Sequence, residues 1–206
     1  MKNIFLTLLI VPILGSCQTK NTEPRNVGGP CEGCEALYEY GDRSLNSIDT
    51  ISGFLANESK IHLSGIIYRE DGKTPAENVI LYAYHTNANG IYEVTDNESG
   101  WGRRHGKYRG WVKTEKDGRY DFYTFRPASY PNTTIPQHIH ITVKDENTIP
   151  YYIDDILFTD DPLLTKEEIK NRPNRAGSGI VTPIESQNGI LEIRRDIILG
   201  KNIPNY

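Results

Sequence analysis

An all-β domain, a β-sandwich of mainly antiparallel strands with one short helix and long loops, is what this sequence predicts, on three observations. Short runs rich in β-branched and aromatic residues recur along the chain between Gly, Pro and Asn turn signals, the spacing of sandwiches and barrels. Thirteen tyrosines and twelve prolines stand beside five phenylalanines and one methionine, a balance that suits pleated surfaces and punctuated loops better than helical bundles. A single stretch, Leu164 to Asn171, has helical composition; Thr165 opens it with Glu168 three residues later, a capping-box pattern.

The elements follow in chain order. Met1-Lys2-Asn3 is a short positive start, and Ile4 to Leu14 is an apolar run broken only by Thr7 and Pro12. That run falls short of the roughly 20 residues a bilayer span requires and has the anatomy of a signal peptide, residues 1–16. It closes on Leu14-Gly15-Ser16-Cys17, which resembles the bacterial lipobox, so Cys17 is expected to become the acylated first residue of a lipoprotein held at the bacterial cell envelope by its lipid anchor. Without acylation the leader would still export the chain. Residues 17–35 are expected to form a polar tether that cannot bury enough apolar surface to fold alone. The tether ends in Cys31-Glu32-Gly33-Cys34. In an oxidising compartment a local disulfide between Cys31 and Cys34 is the favoured reading; redox exchange and metal binding are the alternatives, and there is no second thiol pair to complete a zinc site.

The body, residues 36–206, is long enough for one domain with a substantial core. Ile61 to Tyr68 reads as a strand, followed by a polar turn over Arg69 to Pro75, and Val79 to His85 reads as a second strand. Trp111 to Thr114 and Arg119 to Phe125, joined through Lys116-Asp117-Gly118, read as a hairpin. His138 to Val143, Tyr151 to Phe158 and Ile190 to Leu199 supply the remaining strands. A formal net charge of -4 offers no basic surface for nucleic acid, which is set aside as a partner.

Chemistry concentrates in His138-Ile139-His140. On a strand, residues i and i+2 share a face, so the two imidazoles stand side by side about 7 Å apart at the backbone and can converge on one cation, while Ile139, Ile141 and Val143 face the core. A strand with an ordinary solvated polar face is the simpler alternative. Imidazole serves zinc, copper, nickel and iron alike, so the pair does not name the metal.

Five stretches in order carry a resemblance: Tyr84-His85-Thr86-Asn87-Ala88-Asn89-Gly90-Ile91-Tyr92; Arg109-Gly110 with Thr114 to Phe122; Arg126-Pro127-Ala128-Ser129-Tyr130-Pro131; Pro136-Gln137-His138-Ile139-His140; and Phe158-Thr159-Asp160-Asp161-Pro162-Leu163. Over about residues 60–163 the sequence resembles the intradiol ring-cleavage dioxygenases, whose motifs include P-G-x-Y-P, here with Ala128 in place of glycine, P-x-H-I-H and F-x-x-D-P-L. The resemblance implies a ferric ion, Fe(III), held by Tyr92, Tyr130, His138 and His140, with no organic cofactor. It further implies a catechol-like substrate and O2 as partners, and Tyr130 as the catalytic residue, the tyrosinate that leaves the metal and acts as a base. Two phenolates are hard anionic donors that suit the 3+ state, and the metal charge lowers the phenol pKa from near 10.

Two positions depart from the pattern. Ile135 stands where the family has an arginine beside the substrate, and Asp155 where it has a glutamine. Arg103, Arg104 and His105 form a basic loop that is read as solvated, or as substitute charge for the site. Three functions are therefore weighed: an intradiol-type dioxygenase of aromatic compound catabolism; an envelope lipoprotein of the same fold that binds without ring cleavage; and a copper or zinc site built on His138 and His140 alone.

Overall fold

The computed structural model describes residues 23–206; the apolar leader, Cys17 and the first part of the expected tether lie outside the described residues. In chain order the strands are β1 (Ile48–Thr50), β2 (Lys60–Tyr68), β3 (Ile80–Tyr84), β4 (Arg109–Lys113), β5 (Arg119–Phe125) and β6 (His138–Lys144). They continue as β7 (Tyr151–Tyr152), β8 (Ile156–Phe158), β9 (Ile180–Val181), β10 (Ile184–Glu185), β11 (Leu191–Arg194) and β12 (Ile197–Ile198). Helices are short: a 3-10 turn Cys34–Tyr38, α1 (Gly102–His105) and α2 (Lys166–Asn171).

Two six-stranded sheets face each other. The first runs β1-β5-β2-β11-β10, with β12 continuing beside β2. Its spine is the antiparallel pair β2 and β5, in register from Lys60 opposite Phe125 to Ile66 opposite Arg119. The second runs β4-β3-β6-β8-β9, with β7 also on β6. Period-2 alternation builds the core between them: Ile61, Leu63 and Ile67 of β2 meet Leu81 and Ala83 of β3 and Ile139, Ile141 and Val143 of β6, all buried in one cluster. Among the described residues no helix is long and apolar enough to cross a membrane.

Several expectations change. β4 and β5 are not a hairpin: β4 pairs with β3 and β5 with β2 and β1, in opposite sheets. Thr114 makes the difference, because its hydroxyl donates to Ala76 O at 2.7 Å and accepts from Val79 N at 3.0 Å, pinning the end of β4 to the second sheet. Gly118, at φ +67 and packed on Ile67 O, then hands the chain to the first sheet. The Tyr151 to Phe158 run is interrupted because buried Asp154 accepts the N–H groups of Asn174 and Arg175, so the chain leaves β6 after Tyr152 and rejoins it at Ile156. Helical turns also occur at Cys34–Tyr38 and α1, too short for a periodic signal, while Thr165 caps α2 as its sequence predicts, accepting from Glu168 N at 3.1 Å. The end of the segment read as tether is docked, not free. Arg25 exchanges backbone hydrogen bonds with Asn147 and Ile149, Val27 is buried, and Gly28 N donates to Pro204 O.

Candidate metal centre

Two loops and one strand bring the four candidate ligands together. After β3, Asn87 folds the chain back: its side-chain oxygen accepts from Asn89 N and Ile91 N, and its backbone N donates to Ile91 O. Gly90 closes this turn at φ +76, and a Cβ built there would sit 2.0 Å from Ser129 O. Only glycine lets the Tyr92 loop lie against the Tyr130 loop. Thr86 Oγ1 donating to Ala128 O and Ala128 N donating to Asn87 O tie the two loops further. On the strand side, Asp161 accepts Gln137 N at 2.6 Å immediately before β6, and Arg126 spans Gln137 and, through both terminal nitrogens, Asp160. These contacts explain the spacing of the downstream Phe158 to Leu163 motif: it fixes the entry to the histidine strand.

The donor atoms converge tightly. Tyr92 Oη is hydrogen-bonded to Tyr130 Oη and lies 2.8 Å from His140 Nε2. Tyr130 Oη lies 3.3 Å from His140 Nε2 and 3.1 Å from His138 Nε2, and the two Nε2 atoms are 3.1 Å apart. Donors about 2.0–2.2 Å from one first-row metal ion are separated from each other by about 2.8–3.6 Å at tetrahedral to right-angle openings. Four of these five separations lie in that range, and the Tyr92–Tyr130 pair is closer, so one cation fits the cluster once the two phenol oxygens part slightly.

Protons decide the matter at the histidines. His138 Nδ1 is 2.7 Å from Pro136 O, a group that only accepts, and His140 Nδ1 is 2.9 Å from Asp155 Oδ1. Burial alone would raise the Asp155 carboxyl, but the neighbouring His140 outweighs it and the group titrates below its ordinary range, so it accepts as carboxylate. His138 therefore donates from Nδ1 and turns its Nε2 into the cluster, and His140, held at Nδ1 by Asp155, turns its Nε2 to the same point. Two ring nitrogens 3.1 Å apart with two phenol oxygens beside them are a donor set that one cation can share. Burial lowers the pKa of His138, which favours the neutral ring a metal binds, and raises those of Tyr92 and Tyr130. Ionising these phenols requires a positive charge at their oxygens. Two tyrosines are essential to this donor set: among the described residues no group of three His, Cys, Asp and Glu side chains could hold a metal.

A cavity of ≈ 290 Å³ opens on the cluster, walled by Tyr84, Tyr92, Trp101, His105, Tyr130 and His140, with Glu32 and Arg104 at its exposed rim. Tyr84 stands opposite His140 in the β3–β6 register, and its ring stacks on that of His140 at 4.5 Å and on that of His105 at 3.9 Å. Of the basic loop, Arg104 and His105 reach this cavity. Ile135 does not line it; that residue is 47% exposed, in a separate groove with Thr134, Leu163 and Arg172. Asp155 supports His140 from behind and lines a neighbouring chamber. Cys31 and Cys34 are joined by a disulfide. Tyr84, Trp101 and Glu32 were not marked by the sequence; strand register gives away only Tyr84, once β3 and β6 are known to pair.

No protein-family model matches the chain. In sequence it is 28% identical to the protocatechuate 3,4-dioxygenase beta chain of Burkholderia cepacia, over 53% of this chain and 49% of that protein; the chain thus spans about half the length of the curated relative it matches. The dioxygenase domain of a dioxygenase and carbohydrate-binding fusion from Streptomyces superposes with a TM-score of 0.57 at 19% identity, covering 77% of this chain and 90% of that one. Catechol 1,2-dioxygenase from Acinetobacter gives a TM-score of 0.55 at 20% identity, over 77% of this chain and 59% of that one. The fold is that of these dioxygenases, and the sequence resemblance to the intradiol ring-cleavage enzymes stands beside it.

Proposed function

We propose that the protein is a non-haem Fe(III) dioxygenase of the intradiol type, which opens the ring of a catechol or related vicinal diol with O2. The observation that carries the proposal is the convergence of the Nε2 atoms of His138 and His140, 3.1 Å apart, with the phenol oxygens of Tyr92 and Tyr130. Tyr92, Tyr130, His138 and His140 would hold the iron, and two phenolates favour its ferric state. Bound there, the ion would supply Lewis-acid activation of the diol oxygens. Tyr130, whose Oη touches the other three donors, takes the proton of a diol hydroxyl. His138 and His140 stay fixed through Pro136 O and Asp155, and Tyr84 offers the substrate an aromatic wall. Both oxygen atoms of O2 end in the product, a muconate-type dicarboxylate formed by breaking the bond between the two hydroxyl-bearing carbons.

Oxygen uptake by the iron-loaded protein with catechol tests this. One O2 consumed per diol, with a dicarboxylate formed, is expected; an iron-loaded protein that consumes no oxygen with any vicinal diol contradicts it and favours an envelope binding module. The position of Ile135 outside the cavity is what speaks for that second function, since no positive charge reaches the substrate from there.

The same proposal places the enzyme at the bacterial envelope, anchored through acylated Cys17. Cys17→Ser is expected to move the protein from the membrane fraction to the soluble one; unchanged fractionation with an unmodified N-terminus contradicts the anchor.

A further inference from the structure

The disulfide-closed turn Cys31–Cys34 is used by none of the chemistry above, yet it borders the metal-facing cavity. Glu32 lines that cavity and also a second one of ≈ 260 Å³, which reaches Cys31, Gly33, Thr142 and Asp155; Tyr84 and His140 are common to both. The turn is firmly placed. Gly33 has φ +86, and a Cβ there would lie 2.8 Å from His105 Nε2 and 3.3 Å from the Trp101 ring, so the turn packs directly on the cavity wall. Behind it Ala36 and Leu37 are fully buried, and Trp111 Nε1 donates to Ala36 O at 3.2 Å. At the tip, the Glu32 carboxylate pairs with Arg104, whose guanidinium lies over the Trp101 ring at 5.4 Å.

We propose that Glu32, carried on the disulfide-closed turn and paired with Arg104, is a specificity-determining residue that narrows the shared rim of the two chambers and restricts the metal-facing one to single-ring diols. The proposal rests on the catechol-site reading of the metal centre. An ion pair this exposed holds its partners weakly, so the discrimination comes from the volume of the Glu32 side chain and the anchored backbone beneath it. A second fused ring in front of the metal would need that side chain to move. Removing the side chain to Cβ widens the metal-facing chamber at that rim, while Tyr84 and His140 still stand between the two.

The experiment titrates the iron-loaded full-length protein with catechol and with naphthalene-2,3-diol, reading visible absorption and the quenching of tryptophan fluorescence, to which Trp101 in the wall contributes. Wild type, Glu32→Ala and the double variant Cys31→Ser/Cys34→Ser are compared by the change in the ratio of the two dissociation constants from one protein to the next, in which the intrinsic stickiness of the larger diol cancels. Wild type is expected to prefer catechol by about tenfold or more, as a pocket rejects excess volume. Glu32→Ala should remove most of that preference, and the double variant part of it. A ratio unchanged by Glu32→Ala, or a wild type that binds both diols alike, overturns the role of Glu32 and leaves the catechol site standing. Binding of neither diol to the iron-loaded protein overturns both.

Discussion

His138 and His140 bring their Nε2 atoms to one point because each ring is held at Nδ1, but they are held unequally: His138 by a neutral carbonyl and His140 by the carboxylate of Asp155. A carboxylate behind a ligating imidazole fixes its ring and raises its donor strength. Asp155→Asn keeps an acceptor at the same place and removes the charge, so iron affinity should fall about tenfold and the visible charge-transfer band should shift; an unchanged band and unchanged iron retention would show that the carboxylate does nothing for the metal. The same charge bears on substrate choice. Asp155 acts from behind His140, in the adjoining chamber and not in the metal-facing cavity, and with Arg104 paired to Glu32 and Ile135 outside that cavity neither position offers a carboxylated catechol a free cation. At an effective dielectric near 20, two like charges about 8 Å apart repel by about 2 kcal/mol before salt screening. Turnover at low salt should therefore favour unsubstituted over carboxylated catechol by about tenfold in kcat/KM, and equal or better turnover of the carboxylated substrate would refute the electrostatic reasoning. The histidine pair was legible in the sequence because a strand has period 2. The tyrosines were legible only through the turn motifs around them, since nothing in composition separates two tyrosines from thirteen.

At the scale of elements, what could be read depended on whether the interactions were local. β2, β3, β6 and the capped α2 follow from alternation and capping, which are properties of adjacent residues. The joining of β4 to one sheet and β5 to the other is set by Thr114 reaching Ala76 and Val79, and the break between β7 and β8 by Asp154 reaching Asn174 and Arg175; neither distant partner shows in a window of sequence. The disulfide turn's place against the site is likewise a long-range fact. The junction of the two tyrosine loops gives the sharpest test at this scale. Gly90→Ala adds a Cβ 2.0 Å from Ser129 O at a residue with φ +76, so it should destabilise the fold by about 1–3 kcal/mol and pull Tyr92 away from Tyr130. Thermal melting and iron content read the two effects. A variant as stable and as iron-rich as wild type would mean that the loops can separate without cost.

The whole molecule carries a buried histidine outside the proposed metal centre. His85 has no exposed surface, lies 2.7 Å from Thr86 O and 2.6 Å from Thr124 Oγ1, and burial holds its pKa down to about 4. Its folded pKa is below its unfolded value of about 6.5, so the unfolded chain binds more protons between those two values, and stability is lost as pH falls through that window. The slope from His85 alone should approach 1.4 kcal/mol per pH unit between about pH 6 and pH 4, and His105, also lowered to about 4 by burial, adds to it. His85→Gln should flatten the acid limb of a denaturation series; an acid limb of unchanged steepness would exclude His85 as its source. Sandwich, loops and second-sheet strands together have one consequence, the meeting of Tyr92, Tyr130, His138 and His140 in one cluster, where we propose that one ion binds. The visible absorption spectrum of the purified, iron-loaded protein, taken with its metal content, measures that meeting. One iron per chain and a tyrosinate-to-iron charge-transfer band, lost in Tyr92→Phe and in His138→Ala, is the result expected. A colourless protein that holds zinc or copper through the histidines, or binds no metal, contradicts it.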